Sequence, residues 1–188
     1  MRESFRFRTV DCERGTLSGL RGMTTGIEAF VALVREYRAV VDSADDRAPH
    51  ALPRRCALLL PRIYAAGLTL PDADPETESV DARTIESPIR RLGAILGRYD
   101  SYLEIFDPYE EGEPVQGLIS DDLADVYLDL VEPLEAFESR RVWDAVCSCT
   151  FSIRGHCGDH IVDTMRTVHR LIHVRMPEGY VASDSDAG

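Results

Sequence analysis

Apolar side chains along this chain recur three or four positions apart, the spacing that lines one face of an α-helix. Ile27, Phe30, Val31, Val34, Tyr37 and Val41 make the first such face, on a helix from residue 24 to near Ser43. Leu52-Pro53 opens the second, because proline suits the first helical turn, and Cys56, Leu59, Leu60, Ile63, Ala66 and Leu70 face inward from it. Pro61 is expected to kink that helix, since it removes a backbone donor and crowds the preceding turn. Residues 71–86, rich in acids and broken by Pro71 and Pro75, read as a loop.

Ser87-Pro88, a hydroxyl cap followed by proline, begins a third helix. Its stripe is Ile89, Leu92, Ile95, Leu96, Tyr99, Leu103 and Phe106, and it stops at Asp107-Pro108. After a connection over 107–119, Ser120 is expected to cap a fourth helix, with Asp121, Asp122 and Asp125 suiting the positive end of its dipole. Leu123, Val126, Tyr127, Leu130, Leu134 and Phe137 point inward there, with a kink expected at Pro133. A last helix runs from about Arg141 to Met176 on the stripe Trp143, Val146, Thr150, Ile153, Cys157, Ile161, Thr164, Val168 and Leu171. Gly155 and Gly158 weaken it locally or admit a close neighbour. No stretch reads as a buried strand. The pattern predicts an all-α, single-domain bundle of about five helices.

The chain's 188 residues, 44% of them hydrophobic, suit one domain with a real core. Residues 1–22 carry five Arg against Glu3, Asp11 and Glu13, and Gly15, Gly19 and Gly22 precede Met23. They read as a loosely ordered leader, with Met23 as an alternative initiator. The domain is then 23–176, followed by a mobile Ser/Asp/Gly tail over 177–188. With 21 basic and 33 acidic side chains the net charge is −12, so nucleic acid and anionic membranes are not favoured partners. The longest apolar run, Cys56 to Leu70, is broken by Pro61 and Arg62 and is too short to span a bilayer. Every basic residue is Arg, Lys and Asn are absent, and Gln occurs once, at Gln116. That bias points to a GC-rich bacterial genome and weakens any argument from Arg to anion recognition. An odd set of five cysteines and a charged start, Met1 to Arg8, fit free thiols in a reducing cytoplasm.

Candidate chemistry gathers in two places. The first is Cys147 to His160, with Cys147, Cys149, His156, Cys157, Asp159 and His160. Thiolate and imidazole are zinc ligands, and His156 and His160, four apart, share one helical side, while Cys157 falls on the apolar stripe. Asp122, Asp125 and Asp129, on one side of the fourth helix, are the obvious carboxylate donors. The favoured reading is nevertheless satisfied or solvated side chains, because neither a Glu-x-x-His nor a His-Glu-x-x-His motif is present. No P-loop, dinucleotide-binding glycine motif or Gly-x-Ser-x-Gly elbow occurs. The second place is Tyr102 to Asp125, more specified in aromatics, acids and prolines than a spacer requires.

Tyr102-x-Glu104-x-Phe106-Asp107-Pro108-Tyr109, Glu113-Pro114-Val115 and Ser120-Asp121-Asp122-Leu123-Ala124-Asp125 resemble the bacterial family catalogued as domain of unknown function 5063. The likeness extends through Tyr127, Asp129 and Leu130 to Trp143, Phe151-Ser152, Gly158 and Arg166, and covers roughly residues 24–176. The resemblance implies a helical bundle and brings no activity, cofactor or catalytic residue. It also implies tryptophans and an Asn or His where this chain has Cys147, Cys149, His156 and Cys157, which weighs toward packing there.

The expectation is therefore a non-enzymatic, cytoplasmic interaction module without a cofactor. It would bind a protein partner through Tyr102, Asp107, Tyr109, Asp121, Asp122 and Asp125. The alternative is a metal-dependent hydrolase in which His156, His160 and a carboxylate from Asp125 or Asp129 hold a divalent metal. A third reading, redox sensing by Cys147 or Cys149, requires an exposed thiol of low pKa.

Overall fold

The computed structural model describes residues 17–72, 85–105 and 109–176, with side chains from residue 26 onward. Among these, six helices surround one core, as the helical spacing requires: α1 (Leu17–Asp42), α2 (Ala51–Leu68), α3 (Ile89–Leu96), α4 (Ile119–Glu138), α5 (Val142–Arg154) and α6 (Cys157–Arg170). The chain is an all-α domain with one small sheet. Helix α4 is central and packs on α1, α3, α5 and α6. Phe30, Ile27, Leu60, Ile63, Leu92, Leu123, Leu130 and Ile161 are fully buried among these helices. Helices α2 and α4 run on past Pro61 and Pro133. No described helix is long and apolar enough to cross a membrane.

Four details depart from the sequence expectations. Helix α1 begins at Leu17, not residue 24; the expectations for residues 1–16 and for the 177–188 tail lie outside the described residues. The third stripe ends early. Ile89 packs on the core and Leu92, Ile95 and Leu96 are buried, but the helix stops at Gly97, whose φ of 53° breaks it. A single 3-10 turn, Gly97–Tyr99, leads into a hairpin of β1 (Ser101–Glu104) and β2 (Val115–Leu118). The strands are antiparallel, with Tyr102 opposite Gly117 and Glu104 opposite Val115. Leu103, assigned to the helical stripe, is instead 68% exposed on β1.

Nor does Ser120 act as a cap. Asp100 takes that role: its backbone carbonyl accepts from the Ile119 N–H (2.9 Å), and its carboxylate accepts from both the N–H and the hydroxyl of Ser120 (2.7 Å each). The first turn of α4 is thus tied to the chain that enters the hairpin.

The expected last helix is two. It breaks at Gly155, and α6 restarts at Cys157. A Cβ at Gly158 would lie 2.1 Å from the Ile153 carbonyl oxygen, so only glycine lets the two helical ends meet this closely. The break also sets the direction in which α6 meets α4.

Candidate metal centre

Asp122, Asp125 and Asp129 are spaced three and four apart, which places them on one side of α4. Asp122 is buried, and the other two are half-buried. His156 precedes α6 and His160 lies one turn along it. His156 Nδ1 is 3.0 Å from Asp129 Oδ2, and His160 Nδ1 is 2.9 Å from Asp122 Oδ1. The histidine numbers rise as the aspartate numbers fall, so α6 runs antiparallel to α4 here.

An ionised carboxylate only accepts hydrogen bonds, so the proton of each neutral ring sits on Nδ1 and its Nε2 carries a lone pair. Both lone pairs then point into the same space: His156 Nε2 and His160 Nε2 are 3.3 Å apart, and Asp125 Oδ2 is 3.4 Å from His160 Nε2. One ligand atom from each of Asp125, His156 and His160 falls within 4.8 Å of the others. Two facing lone pairs beside a carboxylate repel one another, and a proton or a metal cation between them removes that repulsion.

The carboxylates behind the rings are themselves held in place. Ser152 Oγ donates to Asp129 Oδ2 (2.6 Å) and Tyr102 OH donates to Asp122 Oδ2 (2.6 Å). The hydrogen bond to Asp122 raises the His160 pKa against the opposing effect of burial, and Asp125 and Asp121 add to the rise. Burial raises that of Asp125, and the neighbouring carboxylates Asp121 and Asp129 push the same way. Donor chemistry of this kind, two imidazoles and one carboxylate, suits zinc, iron or manganese and leaves coordination positions open. Anchoring the far nitrogen of a ligating imidazole on a carboxylate is how metal sites fix ring orientation.

Sequence reasoning assigned several of these residues to a partner surface, and their positions divide. Tyr102, Asp122 and Asp125 turn toward the histidines, while Asp121 is exposed in the first turn of α4 and Tyr109 is 97% exposed. Asp107 lies outside the described residues. His156 and His160 are brought together with Asp125, while Asp129 and Asp122 hold the rings from behind. What the residue types alone did not reveal is the part of Tyr102 and Ser152; the alternation of β1 and the polar stripe of α5 are the signals that carry it. Cys149 and Cys157 are core residues, and burial pushes the Cys149 thiol up to about 12, the opposite of a reactive thiolate.

The fold has a solved counterpart. A crystal structure of protein BF1032 from Bacteroides fragilis is similar to this chain with a TM-score of 0.66 at 22% identity, over 83% of this chain and 96% of that one. No curated protein matches the chain. The family model described as domain of unknown function DUF5063 matches residues 22–174, and the chain belongs to that family.

Proposed function

We propose that this protein binds one divalent transition metal through Asp125, His156 and His160 and uses the open positions for hydrolytic chemistry. The observation that carries the reading is the pair of Nε2 atoms 3.3 Å apart, each with its Nδ1 held by a carboxylate. Three protein donors are the usual complement of a catalytic zinc that keeps one position for water, and zinc so held would bring the pKa of that water to about 7. The test is metal content per chain in untagged protein purified without chelator, with zinc, manganese and iron(II) then added back. Near one equivalent, lost in His156→Ala and His160→Ala, is the expected result. Absence of metal after all three additions would sink the proposal.

A second reading, the protein-interaction module, is supported by the apolar groups that the hairpin segment exposes, Leu103 (68% exposed), Ile105 (52% exposed) and Tyr109 (97% exposed). A contiguous apolar patch formed by such groups is the usual mark of a contact surface. A Leu103→Ser, Ile105→Ser, Tyr109→Ser variant should lose a partner that wild-type protein retains on a column. Identical partner sets would dispose of it.

A further inference from the structure

Tyr102 links the hairpin to Asp122. Alternation along β1 puts Tyr102 and Glu104 on one face and Ser101 and Leu103 on the other. Tyr102 lies across its cross-strand neighbour: a Cβ at Gly117 would come within 2.6 Å of the tyrosine Cζ. The missing side chain at Gly117 therefore provides the seat that lets the ring extend toward α4. At its end the hydroxyl is 2.6 Å from Asp122 Oδ2 and 2.9 Å from Glu104 Oε2. A phenol has one proton, and the nearer oxygen, on Asp122, takes it. Burial and the two carboxylates hold Tyr102 well above the ordinary phenol range, so it remains a donor.

Asp122 is thereby gripped at both oxygens, by Tyr102 on Oδ2 and by His160 Nδ1 on Oδ1. Its side chain is 8% exposed, so water does little to replace either bond. We infer that Tyr102 is a positioning residue through which the β1–β2 arm fixes the His160 ring and sets the affinity of the centre for a divalent cation. The competing arrangement is visible in the same geometry. If Asp122 turns away from Nδ1, His160 can move its proton to Nε2 and donate toward Asp125 Oδ2, now 3.4 Å away. In that tautomer Nε2 has no lone pair for a metal. The affinity effect rests on the metal reading above, whereas the positioning is readable in metal-free protein. Coupling between sites is reciprocal, so whatever Tyr102 adds to cation affinity, a bound cation adds to the docking of the arm.

The experiment compares wild type with Tyr102→Phe, which keeps the ring over Gly117 and removes only the hydroxyl. Nitrogen chemical shifts of His160 in metal-free protein, followed upward in pH until the ring has lost its extra proton, report its tautomer, and competition with a chromophoric chelator reports zinc affinity. We expect the Nδ1–H form in wild type, a shift toward Nε2–H in Tyr102→Phe, and zinc affinity lower by about tenfold, the lower end of the range for losing a partner behind a metal ligand. Asp121→Asn, which removes an exposed charge from the same helix turn, should leave the tautomer unchanged. A tautomer shift in a protein that binds no zinc would support the positioning role and remove the metal reading. An unchanged tautomer overturns the inference, even where zinc affinity falls, because that loss would come from arm packing alone.

Discussion

If Asp125, His156 and His160 hold a cation, then the cation stabilises the fold, because the unfolded chain does not keep these three groups within 4.8 Å of one another. Zinc at a hundred times its dissociation constant adds about 2.7 kcal/mol. For a domain of this length each kcal/mol moves the midpoint by about 2–4 °C, so the melting temperature should rise by about 5–11 °C. The perturbation that isolates the site is His160→Ala, which removes a ligand together with the ring that Asp122 and Asp125 contact. The molecule supplies its own control. His169 and His173 have the same four-residue spacing and ring centroids 4.8 Å apart, yet they lie on the exposed side of the last helical segment. Thermal melts followed by circular dichroism, with and without zinc, should show the rise in wild type and in His169→Ala/His173→Ala. The rise should disappear in His160→Ala. Survival of the full rise in His160→Ala, or its loss with His169 and His173, would refute the assignment.

Three further outcomes follow from geometry elsewhere. Gly158→Ala should destabilise by about 1–3 kcal/mol in urea titrations, the usual range for overpacking, because the new Cβ meets the Ile153 carbonyl at 2.1 Å; an unchanged midpoint would mean the α5–α6 turn is not this tight. Tyr37→Phe removes the buried hydrogen bond that its hydroxyl donates to the Leu123 carbonyl at 2.7 Å; that carbonyl keeps its place in the ladder of α4, so the loss should cost about 0.5–1.5 kcal/mol in the same assay. Burial raises the Cys56 and Cys149 thiols from 9.0 to about 12. Their stabilising contribution is whole below pH 9.0 and is lost as pH rises toward 12, so stability should fall over that window, and less steeply in Cys56→Ala/Cys149→Ala. Neither thiol should react with a disulfide reagent in the folded protein at about pH 8.

The helices were legible because their apolar period is long and strict: Ile27 to Val41 and Leu123 to Leu134 each fill one face, and those faces are buried. The hairpin was hidden by coincidence. Leu103 falls at a helical interval after Tyr99, and a four-residue strand with alternating exposure carries too few positions to outvote it. Gly97 was the local signal that a helix could not continue at φ 53°.

The candidate site was legible in halves. Spacing alone put Asp122, Asp125 and Asp129 on one helical side, and His156 and His160 on another. What spacing within a helix cannot state is which side of one helix meets which side of the next. That depends on the break at Gly155 and the close approach at Gly158, since a continuous helix from Arg141 to Met176 would carry the histidines along a single straight axis. With the break, α6 crosses α4 so that His156 meets Asp129 and His160 meets Asp122. The same logic applies to Tyr102. On a helix its neighbours would be residues three and four away; on a strand its partner is Gly117, fifteen positions on, and only the empty place at that glycine carries the hydroxyl to Asp122. A motif search fails here for a physical reason, because the candidate donors come from two helical segments and are steadied from a third element, with Asp125 far in sequence from His156 and His160.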